Sequence, residues 1–133
     1  MTDAIQKKVS EHYFEYSSDL DSHYLSKAYG GDVAYALDMF ETFIEIIDEE
    51  LLLLRDAIER NDYDNLYKIL HRIKPTFAMV GLTSITNFIG TIDMSNRDGN
   101  SVDWKVFYEK LDKSINDKMP VLKSEIQRLK LWE

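Results

Sequence analysis

The sequence predicts an all-α protein: an up-and-down antiparallel four-helix bundle with a short additional helix near its N-terminus. The chain of 133 residues has the usual length of one domain. It contains only two prolines and five glycines, too few for a many-turned all-β chain. Apolar residues recur at helical spacing in successive segments. Amphipathic helices joined by short loops can bury their apolar faces around a common core.

The first part of the chain contains an irregular segment and two helical patterns. Residues 1–17 show no clean period and are predicted to form a partly irregular N-terminal extension, before a bundle domain over residues 18–133. A short helix is expected at about residues 20–29. Gly30-Gly31 then interrupts the chain, and Asp32 can cap a long helix whose apolar positions run from Val33 to Ile58.

The next two helices are separated by a glycine. Asn61-Asp62 provides a new cap, and apolar residues follow helical spacing over residues 66–80 until the stop at Gly81. The short connection to the preceding helix predicts a tight helical hairpin. Thr83 is then the candidate cap of a helix with apolar positions over residues 85–92, which ends in a polar loop.

The last helix is predicted to begin at about Asp103 and to carry one apolar stripe as far as Leu129. Pro120 lies inside this pattern. Because proline removes a backbone hydrogen bond and clashes with the preceding turn, we expect a kink or a break at that position. Trp104 and Trp132 are interpreted as core and terminal packing.

Composition excludes several classes of function. The net charge is −8, which disfavours binding to nucleic acid or to an anionic membrane surface. There is no cysteine, so thiolate nucleophiles and thiolate zinc sites are excluded. The polar N-terminus and the short apolar runs predict neither a signal peptide nor a membrane span, and the expected location is the cytoplasm.

His71 is the residue that does not fit the core. On a helical wheel it falls opposite the apolar arc of its helix, with Lys74, Pro75 and Ala78 on the same outer face. A face with so few bulky charged side chains indicates a docking surface, and Lys74 could neutralise an anion attached to the imidazole. The alternative is an ordinary solvated histidine beside an ordinary surface lysine. Gly81 either lets the chain turn closely beneath this face or serves only as a C-cap.

The run over residues 71–81, HRIKPTFAMVG, resembles the signature of histidine phosphotransfer (HPt) domains. That signature has a histidine, a lysine three residues later, small residues after it and a glycine ten positions beyond the histidine. Runs similar to those of the family also occur at residues 30–32, 57–62 and 81–85. The resemblance covers about residues 18–131.

The resemblance implies a cytoplasmic phosphocarrier of a two-component phosphorelay. His71 would accept a phosphoryl group from the aspartyl phosphate of a receiver domain and pass it to another receiver, and Lys74 would stabilise the phosphate charge. Pro75, Thr76, Ala78 and Gly81 would form the docking surface. The partners would be receiver domains of hybrid histidine kinases and response regulators, with no nucleic acid and no membrane.

The same resemblance implies that the chain has no autonomous kinase activity, binds no cofactor and acts as a monomer. The magnesium ion would be bound by the acidic pocket of the receiver. The family more often has glycine at the position of Pro75, so we expect a local bend and an unpaired His71 carbonyl. Thr76 could support the phosphoryl group or bond back to the helix backbone.

Other functions have less support in the sequence. The sequence contains no glycine-rich phosphate loop of the kind that kinases use to bind a nucleotide. It also contains no Glu-x-x-His motif, which di-iron bundles use to bind their metal ions. The remaining rival is a helical interaction module that docks a signalling partner without phosphoryl chemistry. Acidic residues on the long helix either keep the surface soluble or steer a basic partner; they are Glu41, Glu45, Asp48, Glu49 and Glu50.

Overall fold

The structure is a computed structural model that describes residues 13–95, 99 and 101–132. These residues form helices and no strands, which confirms the all-α prediction. In chain order the helices are α1 (Ser22–Tyr29), α2 (Val33–Glu59), α3 (Tyr63–Ala78), α4 (Thr83–Ile89) and α5 (Trp104–Leu131). None of these described helices combines the length and the apolar character that a membrane span requires.

The most extensive packing involves helices α2 and α3. α2 packs against both α3 and α5, and α4 packs against α3 and, less extensively, α5. Because a short turn joins α2 to α3, these two helices form an antiparallel pair, as the sequence predicts. The exact up-and-down order of a four-helix bundle stays a prediction, since α4 is only 7 residues long.

Aspartate side chains cap the N-termini of four of the five helices that the structure describes. In each, a carboxylate oxygen accepts a hydrogen bond from the backbone amide three residues later, which satisfies a donor that the helix itself leaves unpaired. The predicted caps Asp32 and Asp62 are confirmed; the full set is Asp21, Asp32, Asp62 and Asp103.

The cap predicted at Thr83 is wrong. Leu82 occupies the N-cap of α4 without a side-chain hydrogen bond, and Thr83 is the first residue of the helix. Its hydroxyl instead donates to Asp21 Oδ2 at 2.8 Å. The Thr83 hydroxyl, which the sequence predicts to cap α4, therefore forms a tertiary hydrogen bond to Asp21 instead.

Neither proline interrupts the helix that contains it. α3 continues through Pro75 to Ala78, and α5, which is 28 residues long, continues through Pro120 to Leu131. The sequence predicted a kink or a break at Pro120. The break is wrong, because the helix is continuous across the proline, and its packing against α2 contributes to its stability. The kink stays a prediction.

One hydrophobic core joins the helices to the segment that precedes them. Phe43 and Phe77 meet edge to face across α2 and α3, with ring centroids 5.6 Å apart. Trp104 is buried in this core, as expected. The Trp132 ring packs edge to face with Phe14, with ring centroids 5.6 Å apart. Residues 13–21, which precede α1, are irregular and contribute three buried side chains, Phe14, Tyr16 and Leu20. Residues 1–12 of the predicted N-terminal extension lie outside the described residues.

Gly81, just after the end of α3, packs closely against the start of α1. Its φ is +78°, and its carbonyl accepts a hydrogen bond from the Asp21 amide at 2.8 Å. A Cβ atom at this position would stand 2.7 Å from Leu25 Cδ1 and 2.9 Å from Leu20 Cβ. Only glycine provides both the backbone angle and the space.

Candidate functional site

His71 lies on the solvent-facing side of α3. The neighbouring residues Leu70 and Ile73 are buried in the core, whereas the imidazole is exposed. This is the orientation that the helical wheel predicts. Within the described residues, the ring has no hydrogen-bond or ion-pair partner. Both ring nitrogens are therefore available to a molecule that approaches from solvent.

The cations near His71 differ in their pairing. Arg72 is occupied, because its Nη2 atom lies 2.7 Å from Glu50 Oε2 and its Nε atom also donates to that oxygen. Lys74, half-buried one turn beyond the histidine, has no ion pair within the described chain. Lys68 lies one turn before the histidine, is exposed and likewise has no carboxylate partner there.

Lys68 is a residue that the sequence reasoning missed. Its spacing of three residues from His71 places it on the same helical face, so a signal existed in the sequence. Together Lys68 and Lys74 place a positive charge on each side of the imidazole along α3. This local charge is opposite in sign to the net charge of the chain.

Helix α4 contacts Lys74 at two points. The Thr86 hydroxyl donates to the Lys74 carbonyl at 2.9 Å. A Cβ atom placed at Gly90, directly after α4, would lie 3.5 Å from Lys74 Cε. Sequence analysis assigned no role to Thr86 or Gly90, because only the packing of α4 on α3 brings them to the lysine.

The other predicted docking residues fall into two groups. Pro75 is exposed on the His71 face, and Thr76 is half-buried with its hydroxyl donating to the Ile73 carbonyl at 2.5 Å. This hydrogen bond is the alternative in which Thr76 bonds back to its own helix. The prediction that Ala78 lies on the outer face is wrong, because its side chain is only 9% exposed in the folded chain. Gly81 is also buried, since it packs beneath α1.

An apolar side chain of α2 extends the His71 face. The Arg72–Glu50 ion pair fixes the register of the antiparallel helices α2 and α3. One turn earlier on α2, Ile46 therefore lies level with Thr76, which is one turn later on α3. Ile46 is 38% exposed. Its role at this surface was not predicted, because the register between helices comes from tertiary structure.

A comparison with protein families identifies this arrangement. The family model for the Hpt domain matches residues 38–132, which include most of α2 and all of α3, α4 and α5. The chain belongs to the Hpt domain family. Domains of this family carry phosphoryl groups in two-component phosphorelays, where they interact with receiver domains and act as carriers rather than kinases.

No curated protein and no solved structure matches the Hpt chain significantly. Among the described residues, no group of three or more histidine, aspartate or glutamate side chains is arranged to hold a metal ion. The assignment of chemistry to individual residues therefore depends on the geometry around His71.

Proposed function

We propose that His71 is the phosphorylated residue of this Hpt domain. It accepts a phosphoryl group from the aspartyl phosphate of one receiver domain and transfers it to the aspartate of another. The observation that carries the proposal is an exposed imidazole one helical turn from Lys74, where neither side chain has an ion-pair or hydrogen-bond partner among the described residues. It also lies inside the region matched by the family model.

The reaction needs little chemistry from this chain. A neutral imidazole has a ring-nitrogen lone pair that can act as a nucleophile. We assign attack to Nε2, the nitrogen farther from the backbone. Its lone pair forms the N–P bond while the P–O bond to the receiver aspartate breaks, and the electron pair of that bond leaves with the carboxylate. The reverse sequence of events charges the second receiver.

Charge stabilisation is divided between the two proteins. Phosphoryl transfer passes through a loose transition state that is helped mainly by in-line positioning and by neutralisation of charge on the phosphoryl oxygens. We assign the magnesium ion to the acidic pocket of the receiver. Lys74 supplies positive charge from this chain, and Lys68 strengthens the local attraction to that acidic pocket.

The receiver docks, in this proposal, on the face that surrounds His71. Pro75 and Ile46 give that face exposed apolar surface on two adjacent helices. Apolar groups of this kind supply the centre of a protein interface, and the flanking lysines supply charge complementarity at its rim. The chain needs no pocket for a nucleotide, because it receives the phosphoryl group from a protein.

A matched pair of histidine variants tests the proposal. The purified chain is incubated with phosphoramidate, a small phosphoryl donor, and separately with a panel of phosphorylated receiver domains. We expect an acid-labile, base-stable phosphoryl group on the wild type and on His23→Gln, an exposed histidine of α1, but none on His71→Gln. Equal labelling of His71→Gln, or no labelling of the wild type by any donor, would contradict the proposal. Receiver binding without labelling would instead support the interaction module.

The role of Lys74 is tested by removal and restoration of its charge. We expect Lys74→Ala to slow transfer from a receiver about fivefold, the equivalent of a partly exposed charge interaction of about 1 kcal/mol. Lys74→Arg should recover most of the rate, because it keeps the cation. Lys110→Ala removes an exposed lysine from α5 and is the control. Equal rates for Lys74→Ala and the control would remove Lys74 from the mechanism.

A further inference from the structure

Lys74 is held from outside its own helix. Thr86 Oγ1 donates to the Lys74 backbone carbonyl at 2.9 Å, and the aliphatic stem of the lysine passes close to Gly90. Both contacts come from the short helix α4 and the residue that follows it. The ammonium group itself has no partner in the described chain. Helix α4 therefore contacts the lysine without neutralising its charge.

The backbone does not require glycine at residue 90. Its φ is −61° and its ψ is −15°, which are ordinary helical values for any residue. Its amide donates to the Thr86 carbonyl at 2.9 Å, a bond that any residue other than proline would also make. A Cβ atom here would lie 3.5 Å from Lys74 Cε, an ordinary van der Waals contact, and 3.2 and 3.4 Å from the Asn87 and Thr86 carbonyl oxygens. A methyl group would therefore touch the lysine stem without a clash, and a longer side chain would occupy the space beside it.

The Thr86 bond lies at a point where α3 lacks one of its own bonds. Pro75 has no N–H, so the His71 carbonyl does not receive the amide donor that it would normally have four residues later. The adjacent Lys74 carbonyl is tied to α4 by Thr86. This bond fixes the backbone of α3 directly before the proline, at the cation itself and one turn after the predicted nucleophile.

We propose that Thr86 and Gly90 are positioning residues for phosphotransfer. Thr86 fixes the backbone of Lys74 against α4, and Gly90 leaves open the path along which the lysine stem carries its ammonium group to the phosphoryl group on His71. The proposal rests on the function proposed above for His71 and Lys74. Neither Thr86 nor Gly90 touches the reacting atoms, and both act through the lysine.

Four variants separate this role from a general effect on folding. Thr86→Val removes the hydroxyl at nearly constant volume, and Thr86→Ser restores it. Gly90→Leu fills the space beside Lys74, whereas Ser84→Leu adds the same side chain at an exposed position at the other end of α4.

Each variant is phosphorylated with phosphoramidate, and the phosphohistidine lifetime and the rate of transfer to one receiver are measured. We expect Thr86→Val and Gly90→Leu to reduce transfer about two- to tenfold, the effect of losing one hydrogen bond or a comparable contact. Thr86→Ser and Ser84→Leu should stay near wild type.

The same variants in a Lys74→Ala background decide whether the effect passes through the lysine. We expect Thr86→Val and Gly90→Leu to cause no further loss there, because the group that they position is gone. An undiminished loss in that background, or wild-type transfer by both single variants, would overturn the inference.

The outcomes also separate this inference from the proposed function. Absence of a phosphoryl group on His71 in every protein would refute the proposed function and this inference with it. Phosphorylation of His71 together with slow transfer by Lys74→Ala, but normal transfer by the Thr86 and Gly90 variants, would refute only the positioning role. A Lys74→Ala variant that transfers normally would remove the lysine and its positioning residues while leaving His71 as the carrier.

Discussion

Replacement of Gly81 by alanine should destabilise the protein through two separate effects. The first is the backbone angle of +78°, which costs a residue with a Cβ atom about 1–2 kcal/mol. The second is overpacking, because the new methyl group would lie 2.7 Å from Leu25 Cδ1 and 2.9 Å from Leu20 Cβ. Both leucines are buried and cannot move aside freely, and overpacking in a core costs about 1–3 kcal/mol. The sum is about 2–5 kcal/mol.

Gly30→Ala is a comparison variant that introduces backbone strain without overpacking. Gly30 also has a positive φ, +56°, but its ψ is −126°, outside the left-handed helical region, and no atom lies within 4 Å of a Cβ built there. Its loss of stability therefore comes from backbone strain alone and differs in size from the strain at Gly81. Alanine also reduces the entropy of the unfolded chain in both variants. The close approach is tested by the difference between the loss in Gly81→Ala and its backbone strain of about 1–2 kcal/mol, and this difference should be about 1–3 kcal/mol.

Urea denaturation followed by circular dichroism measures each loss of stability as a shift in midpoint at constant slope. A Gly81→Ala variant that loses no more than the backbone cost of about 1–2 kcal/mol would refute the close approach of α1 to the end of α3. A receiver-binding measurement at low temperature, where the variant is folded, adds a second test. Because Gly81 is buried, we expect unchanged receiver affinity, in contrast to the docking role that the sequence assigned to it.

Three further results are expected from tyrosine and aspartate side chains. Tyr16→Phe should leave the free energy of unfolding unchanged or raise it, because the buried hydroxyl has no hydrogen-bond partner among the described residues. Tyr29→Phe should lower it by about 1 kcal/mol through loss of the bond to the Met79 carbonyl, and urea titrations of both variants compare them. Burial raises the pKa of Tyr16 to about 12, so the unfolded chain ionises first and stability should fall as pH rises above about 10, less steeply in Tyr16→Phe. Hydrogen bonds, first from a backbone amide and then from Thr83, lower the pKa of Asp21, so their stabilisation should be lost as pH falls below about 4; an Asp21→Asn variant with the same acid titration of stability would contradict this.

Local sequence signals predicted the features that depend on nearby residues. Asp32 and Asp62 cap helices because each carboxylate reaches an amide only three residues away. The exposure of His71 follows from the helical period, since neighbouring positions on the opposite face are apolar. The same helical period places Lys74 on the face of His71, and the run that contains both residues resembles the signature of the Hpt domain family.

Predictions failed where a distant residue competed with a local one. Thr83 gives its hydroxyl to Asp21, 62 residues earlier in the chain, instead of capping its own helix. Ala78 stands near the outer face on an isolated helical wheel, but it is buried in the folded chain. A helical wheel records direction around one helix and contains no information about the neighbour that covers it.

The sequence alone determined the helical class, which depends on composition and periodicity, and the family, which depends on the signature run over residues 71–81. It also predicted a nucleophile and its cation from their spacing within one helix. Tertiary structure decided what surrounds them. The register of α2 on α3 pairs Arg72 with Glu50, whereas Lys74 has no ion pair in the part of the chain that the structure describes. The packing of α4 brings Thr86 and Gly90 to that lysine. Such contacts join residues far apart in the chain, and only the folded backbone sets the distances between them.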